Sequence, residues 1–199
     1  MRAGRRLSGI LALVITVGLA MPAGASTFAR VGLDYLVAEN DTAVVGEVLS
    51  ARSYWNEARS FILTDVRLAV SEVLKGSVGA REITVTIPGG QVGGLAAIIV
   101  GGAELKPGKW YVLFLDRVDL MGARGVLTVH DHCQGAFDVE MAGDGLRAVS
   151  QARRHELLPD VLGNADPVGG AKGMPFIHLT ETVRELAGRQ PNSQPEVQR

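Results

Sequence analysis

Short runs of β-branched and other apolar residues, separated by turns rich in glycine and proline, recur through the middle of this 199-residue chain. The clearest run covers residues 82–87, where isoleucine and valine alternate with glutamate and threonine. Such a period of two is typical of a β-strand with one buried face. The repeated pattern therefore favours a mainly β fold.

Six strands are predicted within one domain. They cover residues 42–50, 61–73, 82–87, 110–115, 125–130 and 136–140. The fourth is apolar throughout, which predicts burial on both faces, with Trp110 in the core. The second changes phase near Asp65 and Val66, which predicts a β-bulge. Because closure removes exposed strand edges, we predict a small OB-like closed barrel of five to six strands.

Two helices are predicted beside this barrel. In residues 26–40, Val31, Tyr35 and Ala38 are spaced for one face of a short helix, with Leu36 beside them. The second helix lies near the C-terminus, with Pro175 in its first turn and Gly188 at its end. Its apolar stripe consists of Phe176, Leu179, Val183 and Leu186.

The N-terminus has the three-part pattern of a secretory signal peptide. Arginines precede an apolar run over residues 10–21, and small residues follow. The run is shorter than the roughly 20 residues that span a membrane, which favours cleavage over an uncleaved anchor. We predict cleavage between Ala25 and Ser26, and export to the periplasm or the medium. A pair of adjacent arginines leaves the twin-arginine route open.

The domain organisation follows from these elements. Residues 1–25 are the predicted signal peptide, and residues 26–146 are the barrel domain. Residues 147–189 form a C-terminal extension that contains the second helix. The polar residues 190–199 are predicted to be a disordered tail.

Charge and cysteine content exclude several classes of protein. The chain has 20 Lys+Arg and 21 Asp+Glu, and the signal contains three arginines and no acid. The mature chain therefore has 17 basic and 21 acidic residues, a formal net charge of −4. Nucleic-acid binding needs a basic surface, so no nucleic-acid partner is predicted. No later apolar run could span a membrane, and the one cysteine, Cys133, excludes an internal disulfide.

Several short motifs occur in a characteristic order. They are Asp-Thr-Ala-Val-Val-Gly-Glu-Val at 41–48, Val-Leu-Lys-Gly at 73–76, Ile-Thr-Val at 83–85 and Gly-Lys-Trp-Tyr-Val-Leu at 108–113. Over residues 41–140 this order resembles the netrin-like and tissue-inhibitor-of-metalloproteinase superfamily, which implies an OB-type five-stranded barrel. Together with Pro-Gly-Gly-Gln-Val-Gly-Gly at 88–94, the motifs are also similar to uncharacterised exported bacterial proteins of this type.

The resemblance does not extend to the inhibitory mechanism of that superfamily. Its inhibitors chelate the zinc of a protease through the amine and carbonyl of an N-terminal cysteine. The predicted mature chain begins with Ser26, and no cysteine lies near it. The resemblance therefore implies a fold, and a fold alone does not specify function.

Two segments are candidates for contact with a partner. Residues 91–103 carry paired glycines around an apolar centre, and Gln91, Leu95 and Ile98 are candidate contacts. This segment is expected to be a flexible loop or an irregular strand pair at one end of the sheet. Tyr54 and Trp55 are expected in the hairpin loop over residues 53–60. There the aromatic pair would contact a partner, or the Trp55 ring would fold back and cap the barrel.

One short cluster has side chains that could ligate a metal. On a strand, His130 and His132 would point to the same face and could share a zinc ion, whereas Cys133 would point away. A thiol nucleophile paired with one of the histidines is a second possibility. The alternative is a polar strand end that leads into a turn.

The sequence thus predicts an exported, non-catalytic protein-binding module without a cofactor, with an unidentified partner outside the cytoplasm. An exported protease is a candidate partner. The alternative is a metal- or thiol-dependent enzyme that uses His130, His132 and Cys133.

Overall fold

The structure is a computed structural model, and it describes residues 30–154 and 172–189. The predicted signal peptide, its cleavage point at Ala25 and Ser26, and the tail at 190–199 lie outside the described residues. The helices are α1 (Leu33–Glu39) and α2 (Phe176–Arg189), and a 3-10 helix covers Gln151–Arg154. The strands are β1 (Thr42–Trp55), β2 (Ile62–Lys75), β3 (Glu82–Pro88), β4 (Gly90–Val92), β5 (Leu95–Ala97), β6 (Trp110–Leu120), β7 (Ala123–Val129), β8 (Ala136–Ala142), β9 (Gly145–Ser150) and β10 (Met174–Pro175).

Five strands form a ring within one sheet, in the order β1-β2-β3-β7-β6, because β6 also pairs with β1. The β3–β7 contact is parallel and has a single registered pair, Val85 with Leu127. Strands β8, β9 and β10 extend the sheet from β6. This barrel-like ring, with a short helix before it and a longer helix after it, confirms the predicted mainly β fold class.

The apolar core has two parts on opposite sides of the ring strands. Tyr111, Leu113 and Leu115 of β6 belong to the cluster inside the ring, whereas Val112 and Phe114 belong to a cluster shared with both helices. Residues 111–115 are therefore buried on both faces, as predicted.

Trp110 does not follow this pattern. Its side chain is 41% exposed, so the prediction that it lies in the core is wrong. The cluster shared with the helices includes Val112 and Phe114 further along β6, whereas Trp110 lies outside it.

The β1–β2 hairpin is irregular, but not at the predicted position. Asp65 and Val66 pair in regular register with β1, so the bulge predicted there is wrong. The extra residues are Leu49 in β1 and Ser71 and Leu74 in β2. The alternation of apolar residues changes phase because three consecutive residues at the start of β2, Ile62, Leu63 and Thr64, are all buried.

The first helix is shorter than predicted and presents a different face. It begins at Leu33, and its buried residues are Leu33, Leu36 and Val37. Tyr35 and Ala38, which were predicted to share the buried face with Val31, are exposed. Leu36, which was predicted beside that face, is buried, and Val31 packs against the cluster shared with both helices as a partly buried residue.

The C-terminal part of the described chain packs against the ring. Strand β9 pairs with β8 and contains residue 146, at which the domain boundary was predicted. Leu179 and Val183 of α2 are fully buried in the helix-side cluster, which confirms the predicted stripe. Pro175 lies in β10, directly before the helix. Neither helix of the described chain has the length and hydrophobicity that a membrane span requires.

Candidate functional site

An uncharged segment projects from one end of the ring, and we call residues 88–103 the apolar arm. Its first part is a hairpin in which β4 and β5 pair from Gly90 with Ala97 to Val92 with Leu95. Gly93, at φ 60°, occupies the first position of the two-residue turn, where hairpins favour glycine. The irregular strand pair was therefore the correct one of the two predicted alternatives.

The arm is attached to the β1–β2 hairpin by a chain of hydrogen bonds. The amide of Gln91 donates to the Ser53 hydroxyl at 3.2 Å, and the Ser53 and Thr64 hydroxyls lie 2.8 Å apart. Thr64 donates to the carbonyl of Gly89 at 2.7 Å. Since Thr64 uses its proton on Gly89, Ser53 must donate to Thr64, so every group in this chain is satisfied.

The return half of the arm has its own attachment. The amide of Gly102 donates to the carbonyl of Ile99 at 3.0 Å and closes a turn. The amide of Cys133 donates to the carbonyl of Gly101 at 3.0 Å. The arm is thus fixed at both ends.

The outer surface of the arm is apolar. The side chains of Ile98, Val100 and Leu95 are 86%, 71% and 61% exposed. Single exposed apolar residues are common, but several on one uncharged segment are typical of an interaction site. Val100 belongs to this surface although the sequence did not single it out.

Tyr54 and Trp55 are not at a loop tip, so that prediction is wrong. They form the end of β1 and pair with Leu63 and Ile62 of β2. The β1–β2 hairpin therefore extends beyond the apolar residues from which its first strand was predicted. The Tyr54 hydroxyl donates to the Asp65 carboxylate at 3.1 Å. Burial raises the pKa of Tyr54, and this hydrogen bond raises it further. Both aromatic side chains are half-buried.

His130, His132 and Cys133 lie in a turn and not on a strand, so the shared strand face predicted for the histidines is wrong. Strand β7 ends at Val129, and Asp131 and His132 adopt φ values of 45° and 63°. His130 contacts the Asp116 carboxylate through Nδ1. Its ring centroid lies 6.2 Å from that of Tyr35. Within residues 30–154 and 172–189, no group of three His, Cys, Asp or Glu side chains could hold a metal ion.

Cys133 is a free, buried cysteine. Burial raises the pKa of its thiol from 9.0 to about 11. Nucleophilic cysteines have a depressed pKa, because the thiolate is the reactive form. The environment of Cys133 therefore opposes the role predicted for it in the thiol-dependent alternative.

We expect Cys133 to be labelled by iodoacetamide at least about 100-fold more slowly in the native protein than in urea at the same mildly alkaline pH. A pKa two units higher lowers the thiolate fraction about 100-fold, and burial adds a steric barrier. Mass spectrometry over a time course measures both rates, and the unfolded chain is the reference. Equal rates would indicate an accessible, ionised thiol and would support the thiol-dependent enzyme.

No protein-family model and no curated protein matches this chain. The predicted contact residues Gln91, Leu95 and Ile98 lie on the apolar arm, in which Gln91 pairs with Ala96 and Leu95 pairs with Val92. The Gln91 amide bonds to Ser53, in the strand that ends in Tyr54 and Trp55.

The residues that attach the arm were missed by the sequence interpretation. Ser53 and Thr64 form a cross-strand pair, and Gly90 lies against both hydroxyls. Ser53 lies in the predicted hairpin loop over residues 53–60 and Thr64 in the second predicted strand, so no local pattern pairs them. Only the register of the hairpin shows that they face each other.

Proposed function

We propose that this protein is an exported, non-catalytic protein-binding module and that the apolar arm is its contact surface. The observation that carries the proposal is the exposure of Leu95, Ile98 and Val100 on an uncharged segment that is fixed at both ends. A preorganised apolar surface loses little conformational entropy when a partner covers it. The partner is a protein outside the cytoplasm, and an exported protease is one candidate.

The chemistry of the arm supports binding more than catalysis. The arm contains no acid, base or nucleophile over residues 88–103. Its exposed groups are aliphatic side chains and the Gln91 amide, which suit packing and hydrogen bonding across an interface. Export is supported by the charged, apolar and small-residue pattern of residues 1–25.

A photo-crosslinking amino acid at position 98 tests the proposal in the cells that produce the protein. Position 177 is the matched control, because Ile177 is also apolar and is 60% exposed. We expect a discrete crosslinked protein from position 98 and not from position 177. N-terminal sequencing of the recovered chain, with Ser26 as the expected first residue, tests export.

Calorimetry with the purified partner then tests the arm directly. A Leu95→Ser/Ile98→Ser variant is expected to bind more than tenfold more weakly, because each large apolar side chain contributes about 1.5–3 kcal/mol when buried. Ile177→Ser is expected to bind like the wild type. Equal affinity of the arm variant and the wild type would overturn the proposal.

A further inference from the structure

One edge of the apolar arm is open to pairing with another strand. Strand β5 pairs with β4 on one side, and these two strands form a sheet of their own. Within residues 30–154 and 172–189, no hydrogen bond beyond the β4–β5 pair engages the main chain of Ala96. Unpaired main-chain groups on a strand edge are a template for a further strand.

The geometry of the hairpin fixes the direction in which Ala96 presents its main chain. Val92 and Leu95 close a two-residue turn and form a hydrogen-bonded pair. The next pair, Gln91 with Ala96, is then a non-hydrogen-bonded pair, in which each residue directs its N–H and C=O away from the other. The Gln91 amide does so, since it donates to the Ser53 hydroxyl at 3.2 Å. Ala96 therefore presents one donor and one acceptor to the outer edge of β5.

This edge lacks the features that usually prevent strand addition. Proteins protect exposed edges with lysine, other charged residues, proline or a β-bulge. Residues 89–103 contain no charged residue and no proline. Leu95 and Ile98 are both exposed, and in an extended chain residues three positions apart lie on opposite faces. A strand beside β5 would therefore contact apolar side chains on both of its faces.

We propose that the partner binds by adding an extended, uncharged peptide segment to the outer edge of β5, an inference that rests on the proposed role of the arm as the contact surface. The N–H and C=O of Ala96 pair with one residue of that segment, and neighbouring side chains of the segment pack on Leu95 and Ile98. In strand addition, main-chain hydrogen bonds contribute affinity and alternate side chains contribute specificity. A charged segment is disfavoured, because the arm has no opposite charge to offset its desolvation.

A second copy of the chain fits this edge less well than a segment of another protein. Strand β5 has three residues, which extend over about 10 Å. Stable interfaces between folded proteins need about 20–30 residues on each side. Pairing of two arms supplies only a small part of that area. A short peptide segment matches the length of the edge.

The test begins with random linear peptides displayed on phage. They are selected on the purified protein after depletion on the Leu95→Ser/Ile98→Ser variant, so that the selected peptides depend on the arm. We expect the enriched peptides to share a run of uncharged β-branched or other apolar residues, which favour the extended conformation. The corresponding synthetic peptide is then the probe.

Two substitutions at one position separate main-chain pairing from side-chain packing. Ala96→Pro removes the outward N–H, and proline is tolerated on an edge strand where that N–H faces solvent. Ala96→Val keeps the N–H and is the matched control. By calorimetry, Ala96→Pro is expected to bind the peptide more than tenfold more weakly than the wild type, which corresponds to at least about 1.4 kcal/mol. Ala96→Val is expected to bind it like the wild type. Unchanged exchange of the Gln91 amide in both variants shows that the arm is intact.

Amide hydrogen exchange of the wild type is a second measurement that needs no substitution. The Ala96 amide is expected to exchange rapidly without the peptide and at least about tenfold more slowly with it, because pairing protects an amide from exchange. The amides of α2 are expected to be unchanged.

Several results would overturn the inference. These are no enrichment of peptides, equal affinity of the peptide for Ala96→Pro and the wild type, or protection of the Ala96 amide before the peptide is added. The last result would show that the chain itself covers the edge. A dimer that Ala96→Pro dissociates in sedimentation would assign the edge to a second copy. The proposed function is tested separately, because a partner crosslinked from position 98 can contact the arm through side chains alone.

Discussion

Replacement of Phe114 by alanine is expected to lower the free energy of unfolding by about 3–5 kcal/mol. Phe114 is completely buried between the ring and the two helices. Its ring packs edge-on against Phe137, with the centroids 5.8 Å apart and the planes at 61°. The substitution removes both the apolar burial and the aromatic contact, which adds about 0.5–1.5 kcal/mol. Urea unfolding followed by circular dichroism measures the change.

Val118→Ala is the matched control, because Val118 lies in the same strand and is 36% exposed. We expect this variant to lose less than about 1 kcal/mol, since partial exposure leaves little transfer free energy to lose. If Phe114→Ala lost no more than Val118→Ala, the cluster between the ring and the helices would not belong to the cooperative core.

Gly90→Val is expected to detach the apolar arm from the ring. Gly90 has a φ of 127°, and a Cβ at this position would overlap the hydroxyl oxygens of Ser53 and Thr64. The φ angle adds a second cost, since a residue with a side chain is strained by about 1–3 kcal/mol in this backbone conformation. Amide hydrogen exchange is expected to become faster at Gln91 while the amides of β6 keep their protection.

The control for this prediction is Gly143→Val. A Cβ on Gly143 would meet no atom within 4 Å, and its φ lies outside the left-handed range. We expect the exchange of Gln91 to be unchanged in that variant. Unchanged exchange in Gly90→Val as well would show that the Ser53–Thr64 attachment does not hold the arm. The partner identified by crosslinking should bind Gly90→Val less tightly, since the preorganisation of the arm is lost.

Much of the candidate site could be predicted from the sequence, because its chemistry is local. Paired glycines on both sides of an apolar segment disfavour both a helix and a long strand over it. The exposure of Leu95 and Ile98 was not determined locally, because residues far away in the chain could have covered them. Its attachment could not be predicted, because Ser53, Thr64 and Gly89 come from three separate strands or turns.

The sequence was least informative where elements end. Strand β1 continues through Tyr54 and Trp55 because β2 provides hydrogen-bonding partners for them, although the intervening residues are polar. Strand β7 stops before His130, whose amide donates to the carbonyl of Phe114 as the chain turns. The end of β1 is therefore set by pairing with β2 and not by local propensity, whereas β7 ends because Asp131 and His132 adopt positive φ values in the turn that follows.

The sequence by itself determined the mainly β class, the positions of the main strands, the C-terminal helix and the apolar character of the arm. These properties depend on periods of two and of 3.6 residues and on turn residues, which act over a few neighbours. Only the tertiary structure decided that β6 joins β1 to complete the ring, that Trp110 at the start of β6 is exposed and that Ser53 and Thr64 lie against the apolar arm. These outcomes depend on how far one element extends over another, which is fixed by packing between residues far apart in the chain.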